Sequence, residues 1–175
     1  ASNMTFKFGE NAVMVIEPGA SFQCTNCLFT NACEDKRWLG IEAQGTDGQH
    51  QWGSPRPTYQ AMLVLRGSVV EHAETGVLAG MRPDLNNGGA YVLCSGATVL
   101  EPVEGQEDPV EVWKETIFRN CRQGVMMRRH QNFNSTTGLP MRDRSRFDDV
   151  RFTITADYQG GYDFLHHVNL WAVDG

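Results

Sequence analysis

The residues of this chain best suited to chemistry are aspartates set among arginines. Asp143, Asp148 and Asp149, with Asp157 and Asp163 further on, form the acidic grouping that could serve glycoside hydrolysis or bind calcium. Hydrolysis of a glycoside needs two carboxylates at a defined separation across the bond. Here the aspartates are interleaved with Arg142, Arg144, Arg146 and Arg151. Carboxylates among arginines are more often solvated ion pairs than acid–base catalysts. Asp148, Asp149 and Arg151 are therefore the catalytic candidates, and the preferred reading is that the chain is not an enzyme.

Binding is the second chemistry on offer. Trp38 and Trp52 flank Gly45-Thr46-Asp47-Gly48-Gln49-His50-Gln51. Aromatic faces pack on the apolar sides of sugar rings while polar neighbours bond the hydroxyls. Trp38 is expected in the core, which leaves Trp52 as the sugar-binding candidate. The stretch from Lys114 to Arg151 is rich in arginine, whereas the residues before Trp113 are acidic overall. Guanidinium groups grip carboxylates and sulfates in bidentate fashion, so Arg128, Arg129 and Arg144 are candidates for holding an acidic polysaccharide. An equally weighted alternative is that this basic stretch docks against the acidic part of the chain.

The thiols point away from metal or redox work. Cys24, Cys27, Cys33, Cys94 and Cys121 make an odd total, and Cys24-x-x-Cys27 has no second pair to complete a zinc set. Unpaired, mostly buried thiols are expected, with no disulfide and no metal. A net charge of −6 argues against nucleic acid, which needs a basic footprint. No apolar run is long enough to cross a bilayer, so membrane insertion is not expected.

The elements that must position these residues are short strands rich in Val, Ile, Phe and Thr. No window holds a helical apolar period over several turns. Two stretches nearly repeat: Ser68-Val69-Val70-Glu71-His72-Ala73-Glu74-Thr75-Gly76-Val77 lies over Thr116-Ile117-Phe118-Arg119-Asn120-Cys121-Arg122-Gln123-Gly124-Val125, an offset of 48 (125 − 77). Cys27-Leu28-Phe29-Thr30-Asn31-Ala32 is a shorter third copy. One unit used several times stacks on its neighbours to bury a shared core. Phe22, Val70, Val99 and Phe118 are candidates for that interior. Gly76 and Gly124 are expected where a side chain would crowd the next copy. Asn31, His72 and Asn120 are expected to form a polar ladder capping turns. Residues 44–58, 80–88, 101–109 and 131–144 are long polar loops.

The turn Pro18-Gly19-Ala20, the strand Asn26-Cys27-Leu28-Phe29, the element Trp38-Leu39-Gly40-Ile41 and the Gly-Val phrases together resemble right-handed parallel β-helix proteins of bacteria, most of all secreted and surface-displayed forms of Bacteroidetes type. Gly88-Gly89-Ala90-Tyr91-Val92 is similar to the phrase that opens a coil in that family, and Phe118 to Val125 to one that closes it. The resemblance implies an all-β fold, a right-handed parallel β-helix of a few coils with long loops on one side. It makes residues 1–10 a cloning remnant and lead-in, and 11–175 coils of a longer chain. It also implies an extracellular or cell-surface location and further coils or domains as partners. The family hosts adhesins as well as enzymes, so fold does not settle chemistry. Polygalacturonase-like members carry clustered aspartates beside a Gly-His element, and no Gly-His dipeptide occurs here. A pectate-lyase reading would use Arg151 as base with calcium on Asp148 and Asp149. The leading expectation is a non-catalytic structural or surface-recognition module binding acidic polysaccharide, without a cofactor. The alternative is a polysaccharide lyase or glycoside hydrolase acting on a uronate-rich polymer, with calcium as the ion it would bring in.

Overall fold

The computed structural model describes residues 1–51, 59–82, 87–158, 166–170 and 173–174. Among these, every regular element is a strand. After β1 (Thr5–Phe8) come β2 (Val13–Ile16), β3 (Ser21–Thr25) and β4 (Leu28–Asn31). The next three are β5 (Gly40–Ala43), β6 (Met62–Arg66) and β7 (Val69–Glu71). Then follow β8 (Thr75–Ala79), β9 (Tyr91–Ser95), the pair β10 (Ala97–Glu101) and β11 (Val110–Lys114), and β12 (Thr116–Arg119). The last are β13 (Gln123–Met127), β14 (His130–Gln131), β15 (Arg146–Phe147), β16 (Val150–Thr153), β17 (His166–Leu170) and β18 (Val173–Asp174).

Three parallel sheets take up most of these strands. Sheet 1 has the order β1-β4-β7-β12-β16, sheet 2 the order β17-β13-β8-β5-β2, and sheet 3 the order β15-β9-β6-β3. The chain visits sheet 2, then sheet 3, then sheet 1, and each circuit lays its strands beside those of the one before. The repeat is this circuit. Val69 pairs with Ile117, Val77 with Val125, and Leu28 with Val69.

Alternation explains the core. Successive side chains of a strand point to opposite faces, so every second residue enters the interior. In sheet 1, Phe6, Phe29, Val70, Phe118 and Phe152 stand in register. Phe6 stacks on Phe29 at 4.9 Å between ring centroids, and Phe118 on Phe152 at 5.2 Å. Sheet 3 adds Phe22, Leu63 and Val92, and sheet 2 adds Met14, Ile41, Val77 and Val125. Burying one such side chain contributes about 1.5–3 kcal/mol, and each aromatic stack about 0.5–1.5 more. Phe22, Val70 and Phe118 belong to this interior as expected. Val99 does not: it is buried, but within the antiparallel pair β10–β11, which is inserted between sheets 3 and 1.

Corners carry the polar logic. Asn26, Gly67 and Asp149 precede sheet 1 strands with φ of 53°, 52° and 51°. His72 and Asn120 follow such strands with φ of 55° and 54°. Asn and Asp tolerate this left-handed region better than most residues. Asn120 caps its corner, taking the Thr155 amide on Oδ1 at 2.8 Å. Asn31 instead donates to the carbonyls of Cys33 and Lys36. Each asparagine thus caps its own corner, and no side-chain bond through His72 joins them into a ladder among the described residues. The third copy also departs from the expected alignment. Trp38, not Ala32, pairs with Ala73, and Ala32 to Arg37 form an insertion.

The stretches expected as loops at 44–58, 80–88 and 131–144 fall on connections from sheet 2 to sheet 3, which leave from the same corner; their described parts are tied together there. Gln60 accepts from the Thr46 amide at 2.8 Å and donates to the carbonyls of Thr46 and Gln49. Gln51 donates to Ala90 O and Asp143, and its amide donates to Asn132 Oδ1. His130 Nε2 meets Gln49 O at 2.8 Å. The fourth loop, 101–109, is the tip of the β10–β11 hairpin at a different corner.

All five thiols are free, and only Cys33 is exposed. Burial pushes Cys24 and Cys121 up to about 12 and Cys94 higher still. Since the thiolate is the nucleophile, a raised pKa and a closed core both suppress reaction. At pH 8 a thiol reagent is expected to label Cys33 alone rapidly in the native protein, and all five after denaturation. Rapid native labelling of a Cys33→Ser variant would contradict the packing of the core.

Candidate functional site

Two consecutive apolar residues in a strand put one of them outside. Leu28, Val69 and Ile117 lie side by side on the outer face of sheet 1 in the row Thr5–Leu28–Val69–Ile117–Arg151. Beside this row, Trp113, Lys114 and Glu115 at the base of the hairpin raise a wall, and Asn3, Met4 and Asn26 close the far end. The enclosed groove has a volume of about 720 Å³. Trp113 is 57% exposed, and its indole is seated against Gly96, where a β-carbon would stand 2.3 Å from Cζ2.

The charges lining the groove are paired. Glu71 is largely buried, accepting from Thr30 Oγ1 at 2.8 Å and from Arg119 Nε at 2.7 Å, with Arg119 Nη2 also on the same carboxylate. Arg151 Nε lies 3.1 Å from Glu115 Oε2. Lys114 pairs with Glu101 and donates to Asn26 Oδ1 at 2.9 Å. Asn26 in turn donates to Asn3 Oδ1. These pairs keep unused donors and acceptors within reach of hydroxyl groups. No carboxylate here stands apart from a cation, so the arrangement suits binding better than proton transfer.

The sequence candidates fall in several places. Arg151 lines the groove. Asp148 lies at the adjoining corner and pairs with Arg146, while Asp149 takes the left-handed turn and its carbonyl accepts from the Thr116 amide. Arg128 and Arg129 sit at the corner between sheets 2 and 3. Arg128 is half-buried across Gly80, where a β-carbon would meet its Cγ at 2.4 Å, and Arg129 is exposed. Arg144 borders a small cavity with His50 and Phe133. Trp52 lies outside the described residues. Trp38 is wholly buried, stacked on Phe8 at 4.2 Å and donating to Glu71 O. The arginine-rich stretch is therefore spread over several faces. Much of it meets acidic residues of another circuit, as in Arg119–Glu71 and Arg122–Glu74, each pair 48 residues apart.

A second cavity, about 650 Å³, lies in the loop cluster between Asp47, Gln131, Asn132, Phe133, Pro140 and Met141. It holds part of the loop singled out as a sugar site, with Phe133 as its aromatic. Among the described residues, no group of three His, Cys, Asp or Glu side chains could hold a metal ion. Trp113 and the outer apolar row went unnoticed in the sequence, although the signal was there: all three copies of the repeat carry two adjacent apolar residues. The chain matches no protein-family model, no curated protein and no solved structure.

Proposed function

We propose that the three sheets are the walls of a right-handed parallel β-helix, and that it serves as a non-catalytic recognition module of a secreted or cell-surface protein, binding a saccharide chain in the groove outside sheet 1. The regular succession of sheets supports the winding, and parallel crossovers within one sheet are right-handed in nearly all proteins. The groove carries the functional reading. Its volume is in the range of small-ligand sites. It joins an exposed indole and an aliphatic strip to paired ions, the combination that meets both faces and edges of a sugar. A preference for uronate or sulfated chains would come from Arg119, Arg151 and Lys114 sharing their charge with the ligand, and would fade with salt.

A glycan array followed by titration calorimetry tests this. Trp113→Ala is expected to weaken binding about tenfold or more, since one stacked ring contributes about 0.5–1.5 kcal/mol beyond its buried area. The melting temperature should hardly move, because the ring is mostly exposed. Binding that ignores Trp113→Ala would place the site elsewhere, and absence of any saccharide binding would remove the reading. Unsaturated products or new reducing ends, lost on Asp148→Ala, Asp149→Ala or Arg151→Ala, would establish the lyase or hydrolase instead.

A further inference from the structure

The β10–β11 hairpin is an addition to the repeat. Elsewhere the chain passes from sheet 3 to sheet 1 in two residues, Asn26-Cys27, Gly67-Ser68 or Asp148-Asp149, but between β9 and β12 it inserts residues 96–115. One hairpin face is seated on the body, with Val99 buried and Ala97 and Lys114 packed over Gly67. The other face is bare. Leu100 is 61% exposed beside exposed Trp113, and Val103 continues the apolar strip towards the tip. Around it stand Glu104, Glu107, Asp108 and Glu111, all exposed and none ion-paired among the described residues. An apolar strip with an acidic rim fits a partner whose own apolar contact is rimmed by cations.

Such a surface exists on this same chain, at the other end of sheet 3. The 128–145 loop presents exposed Leu139 with Arg129 and Arg142, both exposed and not ion-paired among the described residues. Asp143 is held by Gln51 and the Ser145 amide, and Asp47 is the exposed carboxylate nearby among the described residues. Each strand of sheet 3 starts at the loop corner and ends at the hairpin corner. The two surfaces therefore lie at opposite ends of the sheet 3 strands. We infer that the hairpin docks on the arginine loop of a second copy, a head-to-tail contact that repeats from copy to copy. A contact of this kind yields strings, or a ring where its rotation closes.

Sedimentation velocity tests it. At about 20 mM salt the protein is expected to sediment progressively faster as concentration rises towards about 1 mM, and to return to the monomer at about 0.3 M salt. Leu100→Ser should weaken association at least tenfold without lowering the melting temperature. The triple variant Glu104→Lys/Glu107→Lys/Asp108→Lys and the double variant Arg129→Glu/Arg142→Glu should each lose most of the association alone. Mixed in equal amounts they should recover it, since reversed hairpin then meets reversed loop. A monomer at low salt up to about 1 mM overturns the inference, as does association that the reversals leave unchanged or that mixing does not restore. Leu100, the three acids and the two arginines do not line the groove, so these variants test the association separately from the saccharide reading.

Discussion

Gly40→Ala is expected to cost about 4 kcal/mol or more and to lower the melting temperature by roughly 10 °C. Gly40 opens β5 with φ of +107°, a conformation that side chains with a β-carbon rarely take. A β-carbon there would lie 1.6 Å from Thr75 O and 2.7 Å from the carbonyl carbon. Both belong to the backbone of the next circuit, whose Thr75 amide donates to Leu39 O at 3.2 Å. No side chain can swing aside to relieve the contact, so two circuits must separate. Gly48→Ala is the control. It also has positive φ, +71°, but nothing lies within 4 Å, so only backbone strain of about 1–2 kcal/mol remains. Thermal melts followed by circular dichroism check both. A Gly40→Ala protein melting within about 3 °C of its parent would show that β5 and β8 are not pressed together as described.

What the sequence made legible was whatever the repeat enforces. Phe29, Val70 and Phe118 recur because alternate residues of stacked strands must fill one interior. The element Trp38-Leu39-Gly40-Ile41 stood out as a unit for a reason that only the structure supplies. Trp38 fills the corner under Phe8 and reaches Glu71 O, while Gly40 lets the next circuit close over it. Insertions were harder to place. Asn31-Ala32 looked continuous with the repeat, yet a six-residue detour follows and Trp38 takes the place facing Ala73. Ser95-Gly96-Ala97-Thr98-Val99 echoes Pro18-Gly19-Ala20-Ser21-Phe22 because a Gly-Ala turn before an alternating run opens a hairpin as readily as a coil strand. Val99 therefore reads as a stack residue in sequence, and the hairpin, with Trp113 at its base, shows only in the structure. Charge was read along the chain but works across it. Arg119 and Arg122 stand beside Glu71 and Glu74 because a 48-residue step returns to the same place. The candidate groove was the least legible part, since it is made by neighbours in space that sequence distance keeps apart.

Phe118→Ala is expected to destabilise the protein by about 3–5 kcal/mol, the usual cost of deleting a buried ring that its neighbours cannot replace. Phe118 is 2% exposed, between Val70 in the circuit before and Phe152 stacked at 5.2 Å in the circuit after. Its ring also abuts Gly76, where a β-carbon would be 2.7 Å from Cδ1, so the space around it is already closed by backbone. Collapse into the void would require two circuits to shift. For a chain of this size the melting temperature should fall by roughly 10 °C. The informative comparison is Ile117→Ala, one residue earlier on the same strand. Ile117 faces the groove and is half-buried, so its loss should cost distinctly less than that of Phe118. A one-residue slip in register would exchange the two side chains between interior and groove. Equal costs, or the larger cost at Ile117, would therefore show that β12 is out of register, and the apolar row that floors the groove would be lost with it.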